Sequence, residues 1–208
     1  MKPLIVINFK TYKQGKSAIQ LAKQLQKVDK SVIIGVQATD IYEITKATKL
    51  HVYSQHVDYE KKGRATGFIL PEAIKKDGAI GSFLNHSEHK LPFGVLKKTI
   101  KRCGQVGLKT LVFASSLSEA KKIKKLKPNY LIYEPPELVG GKISVSKAKP
   151  GLIKSIAKKL KCNFLVGAGI HNREDVKIAL RLGASGIVVS SAVCESREPG
   201  KKLREILR

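Results

Sequence analysis

The chain has 208 residues, and its 40 basic and 16 acidic residues give a formal net charge of +24. A chain of this length buries roughly 70% of the surface that its unfolded form exposes, so one domain over residues 1–208 is expected. No apolar stretch approaches the roughly 20 residues of a membrane-spanning helix, and the apolar start at residues 4–7 is too brief for a signal peptide. We therefore expect a cytoplasmic protein with no membrane partner.

The positive charge raises nucleic acid as a possible partner. Most of the excess is lysine, and it is spread over predicted helices, as in residues 121–127, rather than gathered around aromatic residues. No signature of an RNA-binding module is present. The sequence therefore favours a solvated, lysine-rich exterior over a dedicated nucleic-acid site. The same charge would attract anionic substrates.

Cysteine and histidine spacing gives no sign of a metal centre. Cys103, Cys162 and Cys194 are odd in number and far apart, which predicts reduced structural thiols rather than a disulfide framework. His86 and His89 are three residues apart, but no third ligand accompanies them. We therefore expect no metal centre.

Eight short apolar runs alternate with helical patterns along the chain. The runs are residues 4–9, 32–37, 51–55, 79–84, 110–114, 130–133, 163–166 and 186–189. They are almost continuously apolar, as strands buried on both faces of a parallel sheet should be. Between the runs, Ser17 is a predicted N-cap of the first helix, while Asn172 and Gly183 are predicted to start and end a later one.

Eight alternating strand and helix units predict an α/β fold, and the count favours a (β/α)₈ TIM barrel. An open doubly wound sheet would produce the same alternation. In a parallel barrel, functional groups lie at the carboxyl ends of the strands. The residues that directly follow the apolar runs are therefore the candidates for a site.

Polar residues follow three of the apolar runs. Asn8 and Lys10 close the first run and, being two residues apart, should point to the same side of an extended chain. His86 follows the fourth run, where an imidazole is suited to acid–base chemistry. Glu134 ends the sixth run and precedes residues 135–141, whose prolines at one end and glycines at the other predict a moving lid.

Small residues follow the last two runs. Gly167, Ala168 and Gly169 come after the seventh run, and Ser190 and Ser191 come after the eighth. Small residues let backbone N–H groups approach an anion, and these two loops hold phosphate in many barrels. Together with a cation, an imidazole and a carboxylate, such a pocket is what proton transfer next to the carbonyl of a phosphorylated sugar requires.

Three stretches of the chain resemble signature segments of the triosephosphate isomerase family, in its compact archaeal form. They are residues 8–12 (NFKTY), 85–88 (NHSE) and 133–138 (YEPPEL), and they occur in the family's order and spacing. Thr66 and Gly67 resemble the family's third-loop interface segment. The resemblance covers essentially the whole chain.

The resemblance implies interconversion of dihydroxyacetone phosphate and D-glyceraldehyde 3-phosphate, without cofactor or metal. It implies that Glu134 is the base, that His86 exchanges protons with the two substrate oxygens, and that Lys10 offsets their negative charge. Asn8 would orient that oxygen end, and Glu88 would hold Lys10. The implied substrate-binding set is Asn8, Phe9, Lys10, Glu88, Val139, Gly140, Gly169, Ser190 and Ser191.

The resemblance also implies a homo-oligomer, a tetramer in preference to a dimer. Two other functions stay open at this point. One is a phosphate-binding barrel enzyme of aldolase type, in which Lys10 forms a Schiff base. The other is a polyanion-binding protein built on the same scaffold.

Overall fold

Eight parallel strands close into one barrel in the computed structural model, which describes residues 3–135, 148, 150–160 and 162–207. Each strand pairs with its neighbours in sequence, and β1 pairs with β8. The strands are β1 Leu4–Asn8, β2 Ile33–Val36, β3 His51–Ser54, β4 Gly81–Leu84, β5 Lys109–Ala114, β6 Tyr130–Tyr133, β7 Phe164–Val166 and β8 Gly186–Val189. The predicted barrel is confirmed, and the open sheet is excluded because the first and last strands pair.

Helices surround the barrel. Those in the described residues are α1 Gly15–Gln26, α2 Ile41–Ala47, α3 Pro71–Lys76, α4 Phe93–Val106, α5 Leu117–Lys124, α6 Pro150–Leu160, α7 Arg173–Arg181, α8 Ser191–Cys194 and α9 Pro199–Leu207. A short 3₁₀ turn at Ala38–Asp40 precedes α2. Over the described ranges, none of the helices is both long and apolar enough to cross a membrane.

The eight apolar runs coincide with the eight strands to within two residues at either end. Where a run extends past its strand, the backbone still bonds to the neighbouring strand. Phe9 donates to the Gly35 carbonyl at 2.9 Å, and Gln55 donates to the Val36 carbonyl at 3.0 Å. These bonds fix the positions of the side chains that follow each strand at the carboxyl edge of the barrel.

The core has two layers, one inside the barrel and one between the strands and the helices. The inner layer consists of Val6, Ile33, Tyr53, Phe83, Leu111, Phe113, Ile132, Leu165 and Val188. Inside the barrel, a Cβ on Gly35 would overlap the Phe83 ring and one on Gly81 would overlap the Tyr53 ring, so glycine is required at both positions. Aromatic rings thus occupy the space that these glycines leave inside the barrel.

The first helix begins earlier than its predicted cap. α1 starts at Gly15, so Ser17 is the third helical residue, and the prediction that Ser17 is the N-cap is wrong. The Ser17 hydroxyl accepts a hydrogen bond from the Gln14 backbone N–H at 3.1 Å. The earlier start reflects a tertiary contact, since the Gly15 N–H donates to the buried Asp40 carboxylate at 2.9 Å.

The predicted ends of the later helix are confirmed. The Asn172 side chain accepts a hydrogen bond from the Asp175 backbone N–H at 3.1 Å, which satisfies one free donor of the first turn. Gly183 follows the last turn with a φ of +101°, a conformation that glycine adopts without steric cost.

Candidate active site

The carboxyl ends of five strands bring most of the predicted site residues to one edge of the barrel. Two adjoining clefts open there, the first smaller than the second, and Asn8 and Lys10 line both. The first cleft also contains Glu134, Gly169, Ser190 and Ser191. The second also contains His86 and Glu88.

Glu134 and His86 face each other across the site. Their Oε2 and Nε2 atoms lie 2.9 Å apart, and both side chains are buried. The angles between the two groups do not make a hydrogen bond, and within the described residues neither atom has another polar partner. A buried polar atom without a hydrogen-bond partner is unfavourable, so both atoms are suited to bind the polar groups of a ligand.

The orientation of the His86 ring fixes which nitrogen carries the proton. The backbone N–H of Glu88 donates to Nδ1 at 3.2 Å, so Nδ1 is an acceptor. The proton of the neutral ring is therefore on Nε2, the atom that faces Glu134. The Phe113 ring meets the imidazole edge to face, with 4.7 Å between centroids, and limits its rotation.

Lys10 is held at both its side chain and its backbone. Its Nζ lies 2.5 Å from Glu88 Oε1, and its backbone N–H donates to Asn8 Oδ1 at 3.0 Å. The backbone adopts a φ of +45°, which is uncommon for a residue with a side chain. The strained conformation directs the ammonium group to the boundary of the two clefts.

Gln55 makes a contribution that the sequence did not indicate. Its Nε2 donates to the Lys10 carbonyl at 2.9 Å and to the Gly35 carbonyl at 3.2 Å, and it lies 3.4 Å from Asn8 Oδ1. One amide therefore connects the carboxyl ends of β1 and β2. A glutamine at the end of a strand carries no motif from which this role could be recognised.

Asn85 anchors the segment that carries His86. Its Nδ2 donates to the Phe113 carbonyl at 2.9 Å and to Glu119 Oε1 at 2.8 Å, and its Oδ1 accepts from the Leu91 N–H at 3.0 Å. The side-chain amide is thus fully used in holding a φ of +62°. Asn85 belongs to a predicted signature stretch, but its structural role appears only in the fold.

Glu119 completes this anchor from the start of α5. Burial alone would raise the pKa of its carboxyl group, but hydrogen bonds from the Ser115 backbone, Lys90 and Asn85 outweigh burial and lower the pKa. The carboxylate thus stays charged beside the loop that carries His86.

Gly167 makes room for the Glu134 side chain. A Cβ at position 167 would lie 2.5 Å from Glu134 Oε1, too close for any side chain. Gly167, which is predicted to be part of an anion pocket, does not line the smaller cleft, and the contact with Glu134 explains why glycine is needed there. The two residues are adjacent because β6 and β7 pair, with Tyr133 opposite Val166.

The end of β7 and the end of β8 form the wall of the smaller cleft. Ala168 and Gly169 have φ values of +78° and +64°, which turn the backbone toward the cleft. Ser191 is the first residue of α8, and the first N–H groups of a helix have no acceptor within it. The Ser190 hydroxyl is already used, because it donates to the Asn8 carbonyl at 2.7 Å.

Three predicted binding residues are not among the described residues that line the clefts, for two different reasons. Phe9 lines neither of the two clefts, and its side chain is buried in the core between strands and helices. Its neighbours Asn8 and Lys10 face the clefts because successive side chains of an extended chain alternate. Val139 and Gly140, with the rest of the predicted lid after Pro135, lie outside the described residues.

The three thiols are free, and two are deeply buried. Burial raises the pKa of Cys103 to about 12 and that of Cys194 to about 12. Cys194 Sγ lies 3.5 Å from the Asn8 carbonyl oxygen, behind the site. Both thiols are protonated and unreactive at neutral pH, as expected for structural cysteines.

Comparisons with known proteins point to one family. The family model described as triosephosphate isomerase matches residues 3–207. The chain is 40% identical to the triosephosphate isomerase of Sulfurisphaera tokodaii, over 99% of this chain and 94% of the relative. It is 38% identical to that of Methanocaldococcus jannaschii, over 99% of each chain.

A solved structure gives the same fold at low sequence identity. The crystal structure of triosephosphate isomerase from Bartonella henselae has a TM-score of 0.72 and 17% identity, and the match covers 93% of this chain and 94% of that one. The closed barrel, the matched family model and the archaeal relatives together lead to one conclusion. The chain belongs to the triosephosphate isomerase family.

Proposed function

We propose that the protein interconverts dihydroxyacetone phosphate and D-glyceraldehyde 3-phosphate by proton transfer through an enediolate. The observation that carries the proposal is the pair of buried atoms, Glu134 Oε2 and His86 Nε2, that face each other 2.9 Å apart. A carboxylate beside a protonated imidazole nitrogen can take a proton from carbon and give one to oxygen. Membership of the triosephosphate isomerase family indicates that triose phosphates are the substrate on which these two residues act.

The proposed reaction begins at Glu134. Its carboxylate takes a proton from the carbon next to the carbonyl, while His86 Nε2–H donates to the carbonyl oxygen. His86 then moves a proton between the two oxygens of the enediolate, and Glu134 returns its proton to the adjacent carbon. Protons balance without any other reactant, and membership of the family implies that the reaction uses no metal or cofactor.

Lys10 would stabilise the charge that develops on the oxygens. Its ammonium group is fixed by Glu88 and lies where the two clefts meet. Because the group is already in place, it does not have to reorganise as charge builds up. Asn8, whose Oδ1 accepts from the Lys10 N–H at 3.0 Å, would orient the same end of the substrate.

The phosphate would occupy the smaller cleft. Gly169, Ser190 and Ser191 line it, and backbone N–H groups in this kind of setting bind anions. Val139 and Gly140 are proposed to complete the phosphate site from the lid. We further propose that the protein works in the cytoplasm as a homo-oligomer, a tetramer in preference to a dimer.

A coupled assay tests the activity. Purified protein is given D-glyceraldehyde 3-phosphate, and dihydroxyacetone phosphate is measured as it forms; absence of turnover would refute the proposal. Borohydride treatment with substrate tests the aldolase-type alternative. We expect no substrate trapped on Lys10, because an ammonium group paired with Glu88 is not a nucleophile. Trapped substrate would overturn the assignment.

A further inference from the structure

Closure of the barrel gathers lysines from two distant parts of the sequence onto one surface. α5 and α6 are neighbours in the helical shell, and Lys124 Nζ donates to the Leu160 carbonyl across them. Six exposed lysines lie on these helices or directly after α5 and define the α5–α6 lysine face: Lys121, Lys122, Lys125, Lys154, Lys158 and Lys159.

The charge of this face is not balanced locally. Glu119 is the one acidic residue within α5 and α6, and Lys90, Ser115 and Asn85 already bind it. Over the described part of the chain, none of the six lysines takes part in an ion pair. On α9, by contrast, Lys202 lies 3.7 Å from Glu205.

The spacing of the lysines suits a regular polyanion. Lys121 and Lys125 are four residues apart, as are Lys154 and Lys158, and each interval is a rise of about 6 Å along its helix. Packed helices lie about 8–10 Å apart, so the face forms two parallel rows of charge. A nucleic-acid backbone presents phosphates at comparably short intervals.

Among the described residues, the composition of the face favours contacts with a phosphate backbone over other modes of recognition. The exposed large hydrophobic residues of the described chain are Tyr12, Tyr42, Phe68, Ile80 and Phe93, and none lies on α5 or α6. Single-stranded nucleic acid is bound by stacking on aromatic rings, and lipid surfaces are bound by apolar side chains as well as charge. Lysine also lacks the planar fork with which arginine reads guanine.

From this arrangement we propose that the α5–α6 lysine face binds the phosphate backbone of double-stranded nucleic acid without reading its sequence. Lys125, Lys158 and Lys159 lie at or just after the carboxyl ends of their helices. Helices of a parallel barrel run back from the catalytic edge, so these lysines are at the opposite end from the clefts. A bound duplex leaves the active site open.

Fluorescence anisotropy with labelled mixed-sequence duplexes of about 20 base pairs, one of RNA and one of DNA, tests the proposal over a range of salt concentrations. The face variant is K121Q/K125Q/K154Q/K158Q. The matched control, K16Q/K23Q/K30Q/K49Q, removes the same charge from exposed lysines elsewhere. Isomerase turnover, which neither variant should change, shows that both are folded.

The face variant should bind both duplexes about tenfold more weakly. The slope of log K against log salt concentration should be less negative by about three to four, because about four fewer phosphates are neutralised. The control should change affinity by less than about threefold. The double variant K122Q/K159Q should show the same trend at smaller amplitude. It keeps the proposal testable if the fourfold variant does not fold.

Four results would overturn the proposal. The first is an equal loss of affinity in the face and control variants, which would indicate diffuse attraction to the net charge, and the second is that the protein does not bind the duplexes at all. The other two come from added probes: a labelled single strand that binds more tightly than the duplex, or binding only to vesicles that contain phosphatidylserine. A preference between the RNA and DNA duplexes would identify which backbone the face accepts.

Discussion

The imidazole of His86 is restrained on three sides, and this restraint determines its chemistry. The Glu88 N–H donates to Nδ1, the Phe113 ring packs against the imidazole nearly at a right angle, and Glu134 lies beyond Nε2. A ring held in this way has one exchangeable proton, on Nε2, directed into the site. Proton exchange with substrate oxygens therefore needs no rearrangement of the ring.

Backbone N–H groups, rather than the serine hydroxyls, should hold the phosphate. Because Ser190 Oγ is bonded to the Asn8 carbonyl, S190A/S191A should weaken binding of phosphoglycolate by less than about 1 kcal/mol. G169V should weaken binding by more than about tenfold, since Gly169 has a φ of +64° and a branched side chain there is both strained and in the way of the anion.

Titration calorimetry with phosphoglycolate measures both affinities, and thermal unfolding shows whether each variant is intact. A large loss in the double serine variant with none in G169V would contradict this placement of the phosphate.

Gln55 should act as a positioning residue for Lys10. Q55A removes the hydrogen bond to the Lys10 carbonyl and should lower kcat about tenfold while KM changes little. The conservative replacement Q55E should not restore kcat, because a carboxylate would face carbonyl oxygens. Q37A is the control, since Gln37 lines the same cleft without a side-chain bond to Lys10. Equal effects of Q55A and Q37A would refute the role.

The residues whose chemistry defines the site could be predicted because they lie at or just after the ends of apolar runs. Asn8, Lys10, His86 and Glu134 all reach the predicted edge of the barrel. Gln55 could not be predicted, since its role lies in contacts with β1 and β2. The predicted contribution of Phe9 is not supported by its side chain, which alternation places in the core.

At the scale of elements, Glu119 connects α5 to the loops after β4 and β5. Its pKa is lowered in the folded protein, so its charge stabilises the fold at a pH above the unfolded pKa. That stabilisation is lost as the pH falls through the folded pKa. E119Q should therefore flatten the decline in the free energy of unfolding between about pH 5 and pH 3.

Urea unfolding at a series of pH values measures this slope. E174Q is the control, because Glu174 is exposed on α7 and lies 4.0 Å from Arg181. If E119Q and the original protein lose stability in parallel, Glu119 does not contribute in this way.

Strands were easier to predict than helix starts for a physical reason. A buried parallel strand is apolar on both faces, so its composition marks it in the sequence. The start of α1 depends instead on a bond between Gly15 and Asp40, which are 25 residues apart. The cap at Asn172 was predictable because its bond to Asp175 is local.

At the scale of the whole molecule, the charge of +24 opposes the predicted assembly. We expect an oligomer, a tetramer in preference to a dimer, that dissociates as salt is lowered because screening weakens. Sedimentation equilibrium at micromolar protein and several salt concentrations measures this. A monomer under all conditions would contradict the prediction.

The distribution of that charge could not be predicted from the sequence. Lys121 and Lys154 are 33 residues apart in the sequence, and they belong to one surface only because the barrel places α5 next to α6. Lysines that are spread along the sequence are therefore concentrated on one part of the folded surface.

The central claim is that Glu134 transfers the proton from carbon. E134D keeps the charge but withdraws the carboxylate by one methylene, so the measurement is steady-state kinetics of this variant beside the original protein. We predict that kcat falls about a hundredfold or more while KM changes by less than about threefold, since distance affects the transition state more than substrate binding. A kcat close to that of the original protein would remove Glu134 as the base and contradict the account.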